Sequence, residues 1–145
     1  MAITCKTPLS EIESYLNEQL ERREAAMVSA MQRAAERVIN VARSTNSYKD
    51  QTGNLRSSIG GCVVKDGAVI WQGGFEVVKE GQQGVTEGKK FLQEVAGKFP
   101  QGIALVVVAG KDYAIHVENK GYDVLSGAEL AAKSIVPKML QQLNL

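Results

Sequence analysis

Between Leu9 and Ser44 apolar residues fall at Leu9, Ile12, Leu16, Leu20, Met27, Met31, Ala34, Val38 and Val41, in steps of three, four and once seven. That spacing predicts one long amphipathic helix. Neither Gly nor Pro interrupts the stretch, and alanines are frequent in it, so propensity agrees with pattern. Thr7-Pro8 ahead of it supplies an N-cap and a first-turn proline. At 1.5 Å per residue such a helix extends about 54 Å. A compact chain of this length is only about 40 Å across. The helix must therefore bend near residues 21–24, or its first turns project and bury Leu9, Ile12, Leu16 and Leu20 against another subunit.

After the stretch Tyr48-Lys49-Asp50-Gln51-Thr52-Gly53-Asn54-Leu55-Arg56-Ser57-Ser58-Ile59-Gly60 the period changes to that of strands. Within it, Thr52-Gly53-Asn54 has the residue types of a turn or helix N-cap, with Thr52 as acceptor for N–H groups further on. Leu55 is an apolar anchor and Arg56 points elsewhere, so the stretch reads as a helix-to-sheet connector. Ile59 to Val64 is a strand, Asp66-Gly67 a two-residue hairpin turn and Ala68 to Gln72 the returning strand. Gly73-Gly74 permits a bulge or tight turn before Phe75 to Val78. Gly81-Gln82-Gln83-Gly84 reads as a flexible surface loop. Thr86 then caps a short helix with Phe91, Leu92 and Val95 on one face and Gly97 beyond its end.

Ile103 to Ala109 is a continuous apolar run, the profile of a strand buried on both faces at the centre of the sheet. Tyr113 to Gly121 fits a strand or a short helix ended by Gly121. Ser126-Gly127-Ala128-Glu129 forms a capping box. It opens a last helix through Leu130, Ile135, Leu140 and Leu143, which Pro137 should kink or restart. The fold class is α+β, in one domain over residues 1–145. It has an N-terminal helix over about 8–45, a small mainly antiparallel sheet region over about 58–118, an inserted short helix, and a C-terminal helix over about 126–143 packed on the sheet.

Composition adds little: 44% hydrophobic and 23% charged residues with net charge +1 describe an ordinary globular chain. The distribution of charge says more. All six arginines lie in the first 56 residues. From Arg33 to Arg56 five bases (Arg33, Arg37, Arg43, Lys49, Arg56) stand against two acids (Glu36, Asp50). This is a solvated helix face or a basic strip for an acidic neighbour or DNA. Cys5 and Cys62 lack metal-ligand spacing and read as free thiols of a reducing compartment. No apolar h-region and no apolar run near 18 residues is present, so neither secretion nor a membrane span is expected.

Catalytic chemistry has no foothold. His116 is the one histidine, with no nucleophile and orienting group in its pattern, and Cys62 sits mid-strand between apolar neighbours, where thiols are inert. The glycines form neither a Gly-Lys-Ser/Thr loop nor a Gly-x-Gly-x-x-Gly turn. No His/Cys cluster suits zinc, and the aromatic residues are not interleaved with bases as on a single-strand platform. No enzyme activity, metal or cofactor is expected.

Two segments resemble a known family. Asp50-Gln51-Thr52-Gly53-Asn54-Leu55-Arg56-Ser57-Ser58-Ile59 after a long helix is similar to the D-x-T-G-x-L-R-x-S-I signature of the phage tail-component family, the gene-product-ten family of long-tailed phages. Tyr113-Ala114-Ile115-His116-Val117-Glu118 with Gly121 resembles that family's Y-A-x-x-V-E-x-G segment. The order of elements agrees over roughly residues 20 to 143. Asn119-Lys120 and Tyr122 around Gly121, Val124-Leu125-Ser126 in place of a Pro-Phe lead, and an added segment over Gly81 to Gly102 depart from the family pattern.

The resemblance implies a non-enzymatic virion protein of the head–tail junction, a connector, neck or tail-completion component assembled as a homo-oligomeric ring in the host cytoplasm. A chain left unassembled, or encoded by a prophage, would stay cytoplasmic. Its partners would be other phage neck and tail proteins, with passing contact to DNA and none to a membrane. A ring joins two different patches of each subunit. One candidate patch combines Leu9, Ile12 and Leu16 with Tyr48, Asp50, Thr52, Gly53, Asn54, Leu55, Arg56 and Ser57. The other holds Tyr113, Glu118 and Gly121 within residues 113–122. Arg33, Arg37 and Arg56 are candidates to line a lumen for DNA. The competing class is a cytoplasmic dimeric accessory protein or peptide-binding module that uses a sheet edge or groove.

Overall fold

A computed structural model of the chain describes residues 1–4, 6–45, 47–110, 112 and 114–143. The N-terminal helix α1 runs unbroken over Leu9–Ser44. Pro8, not Thr7, occupies the N-cap position, and its carbonyl accepts from the N–H groups of Glu11 and Ile12. Proline therefore stands one position earlier than expected. It is the first turns that leave the core: Leu9, Leu16 and Leu20 are 70%, 53% and 57% exposed, while Ile12 is half-buried. All the buried residues lie in the second half: Ala30, Met31, Ala34, Ala35, Val38, Ile39 and Ala42. Val41, expected in the stripe, faces outward, and Ile39 and Ala42 take the inner positions. The buried face is wide there because α1 packs on the sheet and on the C-terminal helix α5 (Ser126–Gln142) at once.

The sheet has three strands, β1 (Ile59–Lys65), β2 (Ala68–Gly74) and β3 (Ile103–Ala109), in the order β2-β1-β3 with both pairings antiparallel. Asp66 and Gly67 turn the β1–β2 hairpin with φ of 49° and 84°, the paired positive values of a type I′ turn. The bulge sits at Ile70, between the pairs Val63↔Trp71 and Val64↔Val69. Gly73 and Gly74, where a bulge or turn was expected, extend β2 opposite Gly61 and Gly60, and Phe75 to Val78 follow as irregular chain.

The central strand is β1, which corrects the expectation for Ile103 to Ala109. Small residues decide this. A side chain at Gly61 would meet Ile39 of α1 and the Val106 carbonyl, and one at Gly60 would meet the Phe75 ring. Bare backbone thus lets both layers close on β1, which is buried from Ile59 to Val64. On the β3 edge only Val106 and Val108 are fully buried.

The second face of the sheet is covered by α3 (Gln82–Ala96). Cys62, Val64, Val106 and Val108 meet Val85, Leu92 and Ala96 there, with Phe75 closing the cluster. This helix starts four residues before Thr86, so Gln82 to Gly84 are helical rather than a loop. The glycine serves close approach: Gly84 lies against a short helix α2 (Asn54–Ser57), where a Cβ would come within 2.0 Å of the Asn54 carbonyl oxygen. Phe91, expected on the inner face, is 41% exposed.

The ambiguous segment is a helix, α4 (Ala114–Asn119); Tyr113 lies outside the described residues. Gly121, at φ 89°, ends it as the left-handed residue of a Schellman turn. Its own N–H donates to the Glu118 carbonyl and that of Tyr122 to the Val117 carbonyl. α5 runs back along the second half of α1, with Ala128 and Ala132 near Val38 and Ala42, and Leu140 near Met31. It continues through Pro137, which is exposed, without restarting. Leu130 faces outward at 68% exposure. The chain is α+β, with helices on both faces of a small antiparallel sheet.

Candidate functional site

The stretch from Tyr48 to Ser57 is a joint built mainly inward. Tyr48, Asp50, Gly53, Leu55 and Ser57 are buried, Asn54 and Arg56 half-buried, and Thr52 exposed. Gly53 adopts φ 78° to start α2, a conformation that suits glycine. The capping acceptor is Asp50, whose carboxylate takes the N–H groups of Leu55 and Arg56 at 3.3 and 2.8 Å. Thr52 Oγ1 accepts the Asn54 N–H, at 3.3 Å. The Asn54 side-chain carbonyl accepts from the Gly84 N–H at 2.9 Å, locking α2 to α3. Ser57 Oγ accepts from the Val78 N–H.

Arg56 does not point away. Its Nη2 donates to the Thr45 carbonyl at 2.6 Å, and its guanidinium lies over the Tyr48 ring, 5.7 Å from the centroid. Burial pushes the Tyr48 phenol up, against the opposing pull of Arg56. Arg43, one of the five bases between residues 33 and 56, is a clamp: Nη1 donates to the carbonyls of Arg56 and Ile59, and Nη2 to that of Glu76. Sequence carried no sign of this beyond an arginine in a last helical turn. Of the three lumen candidates, Arg33 and Arg37 are exposed on α1, and Arg56 is held inside the joint.

The second feature is a cleft of about 740 Å³ between β3, α4 and α5. Leu105, Val107 and Ala109 form its strand wall, Ala114 and Ile115 one end, and Leu125, Ala128 and Ala132 the opposite wall. It lies along the Leu105, Val107 and Ala109 face of β3, on the side where α1 and α5 pack, with Val38 of α1 also in its lining. Glu118 stands at the rim and fastens the cleft's walls together, accepting from the N–H groups of Val124, Leu125 and Ser126 and from the Ser126 hydroxyl. The capping box expected within residues 126–129 is therefore replaced, since Glu129 pairs with Lys133 at 3.1 Å. Asp123 adds the Gly127 N–H at 2.9 Å. Gly121 is exposed beyond the end of α4.

Burial raises the Glu118 carboxyl, but the bonds from Ser126, Leu125 and Val124 together hold it below the ordinary carboxylate value. A depressed folded-state pKa contributes stability above the unfolded value of about 4.3, lost as the pH falls through the folded value. The melting temperature of the parent is expected to drop more steeply between about pH 5 and 3 than that of Glu118→Gln. Melting curves across that range check this, and equal slopes would show that Glu118 contributes nothing to acid sensitivity.

Among the described residues no group of three or more His, Cys, Asp or Glu could hold a metal ion, and no helix is long and apolar enough to cross a membrane. His116 is exposed, and Cys62 is a buried free thiol pushed up by burial. Cys5 lies outside the described residues. No protein-family model, curated protein or solved structure matches the chain.

Proposed function

We propose that this chain is a structural subunit of a phage head–tail junction, a connector or tail-completion component that acts by ring assembly and not by catalysis. The observation that carries this reading is a pair of unlike apolar surfaces on one subunit: the projecting half of α1 and the cleft beside β3. Two different patches that fit one another make a head-to-tail joint, and such joints close into rings when the rotation between subunits closes. Leu9, Ile12, Leu16 and Leu20 stand at i, i+3, i+7 and i+11, the spacing with which a helix seats in a groove. The family resemblance of residues 50–59 and 113–121 supplies the virion setting. Arg33 and Arg37, exposed on the same helix, are the proposed contacts to DNA in the lumen.

The cleft by itself would also suit a dimeric, peptide-binding accessory protein of the cytoplasm. Sedimentation velocity across a concentration series, with electron microscopy of the same samples, separates the two. The ring reading expects a sedimentation coefficient that climbs with concentration and closed annular particles. A chain that remains monomeric, or that stops at a symmetric dimer, overturns it.

A further inference from the structure

We propose that Arg23 fixes the direction in which α1 of a second copy of this chain seats in the cleft beside β3. This pairing rests on the ring reading and adds a direction to the joint. Arg23 stands seven residues after Leu16 and three after Leu20, so it continues their stripe on one helix face. It is exposed, as those two leucines are. Its neighbour Arg22 is paired with Glu18 at 2.9 Å, whereas Arg23 has no ion pair among the described residues. A cation in line with an apolar stripe suits a groove whose end is acidic.

The cleft is such a groove. Its lining holds three acids, Asp112, Glu118 and Glu129, and no base. All three gather at the Ala109 end of β3. Asp112 follows Ala109 by three positions, and Glu118 accepts the N–H groups that open α5, whose first turn holds Glu129. From there α5 runs toward Leu105, where Val136 and Leu140 pack, and the lining at that end carries no charge. Glu118 is held by the α5 N–H groups, which leaves Asp112 and Glu129, both exposed, to receive a cation. Glu129 meets Lys133 only in an exposed i,i+4 pair, which competes weakly.

Length and charge then fix the direction. The strand wall from Leu105 to Ala109 is about 13 Å long, and Ile12 to Leu20 spans about 12 Å of helix. Arg23 lies about 4.5 Å beyond Leu20, past the end of the apolar wall. It reaches the acids only when the seated helix runs the same way as β3, with Leu20 beside Ala109. The reverse direction would bring Glu13, four residues after Leu9 on the same face, against Asp112 and Glu129. Such like-charge contacts weaken association.

The test is sedimentation velocity of the full chain across the concentrations where the parent forms rings. Arg23→Glu is expected to raise the concentration at half-assembly at least about tenfold. Its melting temperature should stay with the parent's, because the side chain is exposed. Asp112→Lys together with Glu129→Lys should weaken assembly to a similar degree. Combining all three substitutions reverses both sides of the contact and should bring the midpoint back to within about threefold of the parent's. An Arg23→Glu chain that assembles at the parent's midpoint overturns the pairing and leaves the ring reading standing. So does a triple variant that assembles no better than Arg23→Glu alone. A parent that forms no rings at any concentration removes the ring reading, and the pairing falls with it.

Discussion

Replacing Leu55 by alanine is expected to lower the unfolding free energy by about 3 kcal/mol. Leu55 is 1% exposed and sits in the cluster that joins Val38 and Ala42 of α1 to Ile59, Ala114, Val124 and Ala128. Three other helices and the central strand contribute to that cluster, so little collapse can fill the space the side chain leaves. Its neighbour provides the sharper comparison. A connector arginine on the surface would cost under about 0.5 kcal/mol on truncation. Arg56→Ala is instead expected to cost about 2 kcal/mol, because it strips the Thr45 carbonyl of its 2.6 Å partner and uncovers the Tyr48 ring. Urea unfolding of both variants measures this. An Arg56→Ala cost in the surface range would reduce the joint to a connector with an ornamental arginine.

Deleting residues 1–16 is expected to move the melting temperature by no more than about 3 °C while abolishing ring formation. The reason is the division of labour along α1. Every fully buried residue of the helix lies from Ala30 onward, and the ion pair of Glu24 with Lys65, at 3.0 Å, ties its middle to the end of β1. The segment before it exposes Leu9 and Leu16, which contribute to the fold only what a solvated helix does. Removing them takes the proposed knob from the joint and leaves the cleft intact. A truncated chain that unfolds outright would place those turns in the domain's own core. One that still forms rings would move the joint elsewhere on the subunit.

Local patterns were legible in the sequence where one element decides its own fate. The bounds of α1, the type I′ hairpin and the limits of β3 follow from periodicity, from Asp66-Gly67 and from an unbroken apolar run. The position of β3 did not follow, because an apolar run announces burial without saying what covers each face. Part of its second face opens on the cleft, and β1 takes the centre through glycines that look weak in a strand. Gly81 and Gly84 likewise read as flexibility, whereas Gly84 is a contact surface for Asn54. The start of α5 was misread in detail for a related reason. Its N–H groups are held by Glu118 from the preceding helix, and no local motif reports a partner eight residues away.

The candidate site divides the same way. Leu55 as an anchor and the projecting leucines were readable from apolar spacing and helix length. Arg43 and Arg56 were not, since their acceptors are backbone carbonyls, which every residue has and no residue type advertises. Asp50 stood in the signature, but its grip on two N–H groups needs the turn at Gly53 to be formed first.

The edge position of β3 also sets how its protons trade with water. It is paired with β1 along one side only, and in an antiparallel ladder successive residues turn their N–H groups to opposite sides. The isolated subunit should therefore show slow deuterium uptake at every amide of β1 and a comb of alternating slow and fast uptake along Ile103–Ala109. The fast teeth of that comb are free donors of the kind that recruit another strand. If a neighbouring chain adds one in the assembled particle, those teeth alone should fall silent.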